Sequence, residues 1–150
     1  MLTWGEFERS APEMAKFGVQ RLSDRVMFLG TIRKNGYPRV HPFSPFIAAG
    51  HFFAFMEPTS PKGHDIERNG VYVAHSLVKD WNGSEGEFAV TGRARRVDDP
   101  AARELAAKGC PYKPAGRYVL FEFFIEECFT NHYVGGEPQY SRWKEPSSKS

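Results

Sequence analysis

The chain has little that would commit it to a membrane, a nucleic acid or an oxidising compartment. No apolar run in its 150 residues is long enough to cross a bilayer, and the first residues lack a signal-peptide core. A formal charge of +2 is too small to serve as a footprint for nucleic acid or an anionic membrane. Cysteine is scarce, and Cys110 and Cys128 form no C-x-x-C pair. A reduced, cytoplasmic protein with two incidental thiols is the expectation. Sequence repeats are absent, and the only biased segment is the polar tail Glu145 to Ser150, which reads as disordered. The histidines form no H-x-x-x-H or H-E-x-x-H pair, so no metal site is expected.

Aromatic residues are what the chain has in quantity, with 13 Phe. One domain over residues 1–144 has enough apolar material for a real core. Thr3 to Ser23 has a helical pattern. Thr3 can cap, Glu6 is its box partner, and Pro12 must break or restart the helix. Arg25 to Lys34 reads as a strand, and Asn35-Gly36 predicts a two-residue primed turn. Tyr37 to Ile47 returns antiparallel. Its Pro38, Pro42 and Pro45 require an edge strand or bulges. A turn at Ala48-Ala49-Gly50 leads into His51 to Met56.

Further strands are expected at Val71 to Leu77, Glu87 to Val97 and Arg117 to Val134, the last bent near Glu126-Glu127. Tyr140 to Trp143 adds an extended piece. Asp98-Asp99-Pro100 starts a helix that ends at Gly109. About six antiparallel strands with few, short helices predict a mainly β, α+β fold closed into a small barrel.

One stretch carries chemistry. Pro58 and Pro61 stop the strand that ends at Met56, Thr59 and Ser60 are good N-cap residues, and Pro61 suits a first helical position. Asn69-Gly70 closes the short helix. A hydroxyl, an ammonium at Lys62 and free N–H groups converge at its start, which is how a chain holds a phosphate. An ordinary capped helix with a surface lysine satisfies the same pattern.

The order of these signals resembles the pyridoxamine-phosphate-oxidase-like flavin proteins, whose fold is the FMN-binding split barrel. The resemblance rests on Phe28-Leu29-Gly30-Thr31 and on the run Asn35 to Pro42. It continues through Ser60-Pro61-Lys62, Val71-Tyr72-Val73-Ala74 and Gly86 to Ala94. It implies a six-stranded split barrel, FMN as cofactor, a small-molecule substrate and a homodimer, with no nucleic-acid or membrane partner. It implies that Arg39 meets the phosphate, while the backbone of Val40, His41 and Pro42 meets the flavin ring. Ser60 and Lys62 correspond to the family's phosphate segment. Phe55 and Met56 stand where relatives carry a threonine, so a hydroxyl contact is missing there. Trp81 matches an aromatic after the next strand, and Trp143 a C-terminal tryptophan that reaches the ring.

The arginine–histidine signature of the namesake oxidases is not present: His132 is followed by Tyr133, and Arg142 by Trp143. A flavin-dependent oxidoreductase of unknown substrate is therefore the favoured function. The alternatives are a deazaflavin-dependent reductase, with Arg93, Arg95 and Arg96 at the cofactor's tail, and a non-catalytic flavin- or haem-binding protein for sensing or storage. Flavin performs hydride transfer itself, so no catalytic residue is singled out.

Overall fold

Thr3 opens α1 (Trp4–Ser10) with the reciprocal bonds that its spacing to Glu6 predicts. The Glu6 N–H donates to Thr3 Oγ1 at 3.3 Å, and the Thr3 N–H to Glu6 Oε2 at 2.8 Å. Pro12 then takes the first position of α2 (Pro12–Arg21). The computed structural model describes residues 1–22, 26–83 and 85–147. The expected helix end at Ser23 and strand start at Arg25 lie outside the described residues, as do 148–150 of the tail.

Among the described residues the sheet has eight antiparallel strands rather than six. The first is β1 (Met27–Ile32). The proline-rich return splits into β2 (Pro38–Phe43) and β3 (Phe46–Ala48), and β4 (His51–Met56) follows. After α3 (Pro61–Arg68) come β5 (Val71–Ser76), β6 (Glu87–Val97), α4 (Pro100–Gly109), β7 (Val119–Val134) and β8 (Glu137–Lys144). The strand order is β2-β1-β5-β6-β7-β4-β3, with β8 paired to β7. The two ends of that path, β2 and β3, are consecutive in the chain, yet no ladder joins them among the described residues. The result is a barrel split between two edge strands. Pro38 and Pro42 fit because, among the described residues, β2 pairs only with β1.

Local chemistry corrects three expectations. The β1–β2 connection is not a two-residue primed turn. Gly36 N–H donates to Arg33 O at 2.8 Å, Arg33 N–H to Tyr37 O at 2.8 Å, and only Gly36 is left-handed, at φ +85°. That is a three-residue loop with a glycine bulge. Asn69 is extended at φ −145°, so α3 does not end on a left-handed cap. Gly70 is needed for another reason: a Cβ there would lie 2.7 Å from Ala94 O. Glu145 is anchored rather than loose. Its N–H donates to Glu126 O at 2.7 Å, and its carboxylate pairs with the Met1 amine.

The bend expected in β7 is a register shift opposite Thr91/Gly92, where Thr91 faces Glu127 and Gly92 faces Ile125. A Cβ on Gly92 would approach Phe124 O to 2.0 Å. The main core fills the barrel with Phe52, Phe88, Phe123 and Tyr72, and α1 closes one end with Trp4 and Phe7. A second cluster joins Phe46, Phe53, Phe55 and Leu120 to Ala106 of α4. Burying each such side chain stabilises the fold by about 1.5–3 kcal/mol. Together these clusters hold the end of β4 and the start of α3 in place.

Candidate functional site

The turn after β4 leads directly into α3. Ser60 is its N-cap residue, but its hydroxyl makes no bond to the helix. It accepts instead from Lys62 Nζ at 3.2 Å. The first bond of the helix runs from His64 N–H to Ser60 O at 3.1 Å. The Lys62 and Gly63 N–H groups therefore precede the ladder and have no acceptor within it. Ser60 is buried, and Lys62 is half-buried. Burial pushes the Lys62 ammonium below the ordinary lysine value. No ion pair engages Lys62 among the described residues.

These groups line one end of a cleft of about 550 Å³ at the split in the barrel. Its flat walls are Phe55 and Met56 from the end of β4, Phe43 from β2, and Tyr112 and Tyr118 from the α4–β7 segment. Tyr112 packs edge-on against Phe46, and its hydroxyl donates at 3.4 Å to Ser44 O in the link between β2 and β3. Burial pushes that phenol up to about 12, so it stays a donor. Glu57 lies on the rim with its charge answered by Arg117, whose Nε and Nη2 donate at 2.9 and 2.5 Å.

Arg39 is not in that cleft. It lines an adjoining depression on the other side of Pro61. Its Nε donates to Asp65 Oδ2 at 2.7 Å; Thr31 Oγ1 reaches the same oxygen at 2.8 Å, and Arg68 Nη2 reaches Oδ1 at 2.7 Å. Asp65 is 2% exposed. Burial would raise its carboxyl, but the bonds from Arg39, Thr31 and Arg68 outweigh burial and hold it below the usual range.

The structure thus brings Ser60, Lys62, Phe55 and Met56 together and sets Arg39 apart from them. Val40 and Pro42 point outward from β2, and His41 lies half-buried in the alternate row with Arg39 and Phe43. Trp81 is remote, in the β5–β6 loop and 98% exposed, beside Tyr133 in a different cleft. Trp143 packs on its own barrel. Its ring meets Phe7 edge-on at 5.0 Å, and its Nε1 donates to Ser10 Oγ at 3.2 Å. The residues missed from the sequence are Tyr112, Tyr118 and Asp65. An aromatic pair around a loop and an acid three positions before Arg68 were the available signals.

The strand order, the unjoined edges and the short helix after β4 define a split-barrel protein. A family model described as pyridoxamine 5'-phosphate oxidase matches residues 12–131, and the chain belongs to that family. Solved structures share the fold at low identity. A NimC/NimA family protein from Clostridium acetobutylicum is 18% identical with TM-score 0.63, covering 85% of this chain and 92% of that one. HutZ, the heme storage protein of Vibrio cholerae, is 16% identical with TM-score 0.60, covering 77% and 89%. PhzG of Burkholderia lata 383, solved with tetrahydrophenazine-1-carboxylic acid, is 12% identical with TM-score 0.56, covering 95% and 93%. No curated protein matches the chain.

Proposed function

We propose that the protein is an FMN-binding oxidoreductase acting on a small-molecule substrate. The observation that carries this reading is the cleft itself. One end offers a hydroxyl, an unpaired ammonium and two free N–H groups, and the other offers flat apolar walls. A phosphorylated ring compound matches that division. Ser60, Lys62 and the Lys62 and Gly63 N–H groups would hold the phosphate. Phe55, Met56, Tyr112 and Tyr118 would flank the ring. As an edge strand, β2 keeps part of its backbone N–H and C=O groups unpaired near Val40 to Pro42, available to a polar ring edge. A bound flavin supplies the hydride chemistry, and the chain's part is to orient it and exclude water.

The protein is also read as a homodimer. The outer face of β2-β1-β5 carries Val40 (65% exposed), Val73 (42%) and Phe28 (39%) in adjacent register. A second copy of the same face would cover it. Light scattering at micromolar concentration should give twice the chain mass; a monomer would overturn this.

The other cofactors fit less well. Arg96 is tied to Asp98 and Glu67, and Arg95 lies over Phe124 at 5.0 Å, which leaves Arg93 of that strand for a deazaflavin tail. The haem reading draws on the likeness to HutZ. Among its described lining residues the cleft has no histidine or cysteine, and Met56, Tyr112 and Tyr118 are the side chains there of a kind that can bind haem iron. Absorbance of the cofactor released on denaturing the purified protein is the test. FMN bands, with bleaching of the holoprotein by NAD(P)H, are expected. A Soret band, a deazaflavin spectrum or a colourless protein would overturn the assignment.

A further inference from the structure

Across Pro61 from the aromatic cleft lies a depression of about 420 Å³ with a different character. Its described lining residues include no Phe, Tyr or Trp, and His64 is the one ring among them besides Pro61. Arg33 and Lys34 enter from the β1–β2 loop, Arg39 from β2, and Arg68 from α3. Among its described lining residues Asp65 is the one acid, so they carry four cations against one anion.

The position of that anion matters more than the count. Asp65 is buried, and both of its oxygens are already used by Thr31, Arg39 and Arg68. It pins two guanidinium groups without consuming them. Only Nε of Arg39 and one Nη of Arg68 are engaged among the described residues. The remaining N–H groups stay available on side chains that have already lost much of their freedom, which lowers the entropy cost of binding. Two planar forks with fixed stems suit a tetrahedral oxyanion. Arg33 and Lys34 have no ionic partner among the described residues, and their loop is held by the Gly36 bulge.

We propose that this basic cleft is a second anion-binding site, which takes a phosphate-like dianion separate from any group held at Ser60 and Lys62. The dianion is either a second phosphate of the ligand in the aromatic cleft or a separate anionic substrate. The site does not depend on the flavin reading.

Calorimetric titration with inorganic pyrophosphate tests it. The wild type should bind in a saturable, salt-sensitive manner. The double variant Arg33→Ala/Lys34→Ala should bind roughly tenfold or more weakly, as expected for lost charge-assisted contacts. Its melting temperature and FMN affinity should not change, because both side chains are exposed and neither lines the aromatic cleft. Lys62→Ala should leave pyrophosphate binding in place. No isotherm in the wild type, equal affinity in the double variant, or loss on Lys62→Ala would each overturn the proposal. If FAD competes with pyrophosphate and FMN does not, the dianion belongs to the cofactor; if neither competes, it belongs to a separate substrate. Failure of the wild type to bind FMN would overturn the flavin reading and leave this titration valid.

Discussion

Lys62 and Arg39 carry the same charge on opposite sides of Pro61, and the fold treats them differently. Arg39 is locked to a carboxylate that is 2% exposed, together with Arg68 and Thr31. Among the described residues Lys62 has a neutral hydroxyl and no carboxylate for company, and its partial burial makes it a reluctant cation. A buried ion pair is a structural commitment, since removing one partner strands the other. A half-buried lysine without a carboxylate is a charge awaiting an anion. Which cation serves a ligand first is decided by its neighbours.

The largest expected effect tests the committed side. Asp65→Ala should cost about 3 kcal/mol of stability, because it leaves two guanidinium groups facing each other without their shared acceptor. Urea denaturation checks this, and a loss below about 1 kcal/mol would mean the cluster is worth no more than a surface pair. Lys62→Ala should change stability by no more than about 0.5 kcal/mol. It should instead weaken FMN by roughly tenfold to a hundredfold, as losing a contact of about 1.5–3 kcal/mol requires. Riboflavin, which lacks the phosphate, should bind wild type and variant alike. A flavin fluorescence titration in which both ligands weaken equally would break the phosphate assignment.

Acid should separate the two sides next. The Asp65 carboxyl titrates below the ordinary aspartate value of 3.8 when folded. Its stabilisation is complete above that value and is lost as the pH falls through the folded one. Melting temperatures should therefore drop below about pH 4, and Asp65→Asn should flatten that limb. The smallest effect belongs to the cleft wall. Tyr112→Phe removes one long bond to Ser44 O and should cost about 0.5 kcal/mol in a thermal melt. A loss of several kcal/mol would show that Tyr112 holds the split together.

Much of this was legible locally. Thr3 with Glu6, Pro12, Asp99 with Pro100, and Ser60 with Pro61 all mark helix starts, because caps depend on a few consecutive residues. The prolines of β2 placed it on an edge for the same reason. Trp143 was legible only as a residue to be buried. Its bulk called for burial, but nothing in its neighbourhood says that Phe7 and Ser10 stand opposite. Asp65 reads in sequence as one more charge on a short polar helix. Only the return of β1 and β2 puts Thr31 and Arg39 beside it.

The sequence by itself determined the strands, the helix that opens at Ser60, and the hydroxyl and ammonium at its mouth. Each depends on backbone conformations that neighbouring residues set. Tertiary structure alone decided that the barrel stays open between β2 and β3, and that Tyr112 and Tyr118 wall the cleft. It also decided that Arg39 answers to Asp65 and lines a different depression from Lys62. The Arg39–Asp65 and Tyr112–Ser44 contacts join residues 26 and 68 positions apart. Their energies come from burial, and burial exists only once the sheet has curled.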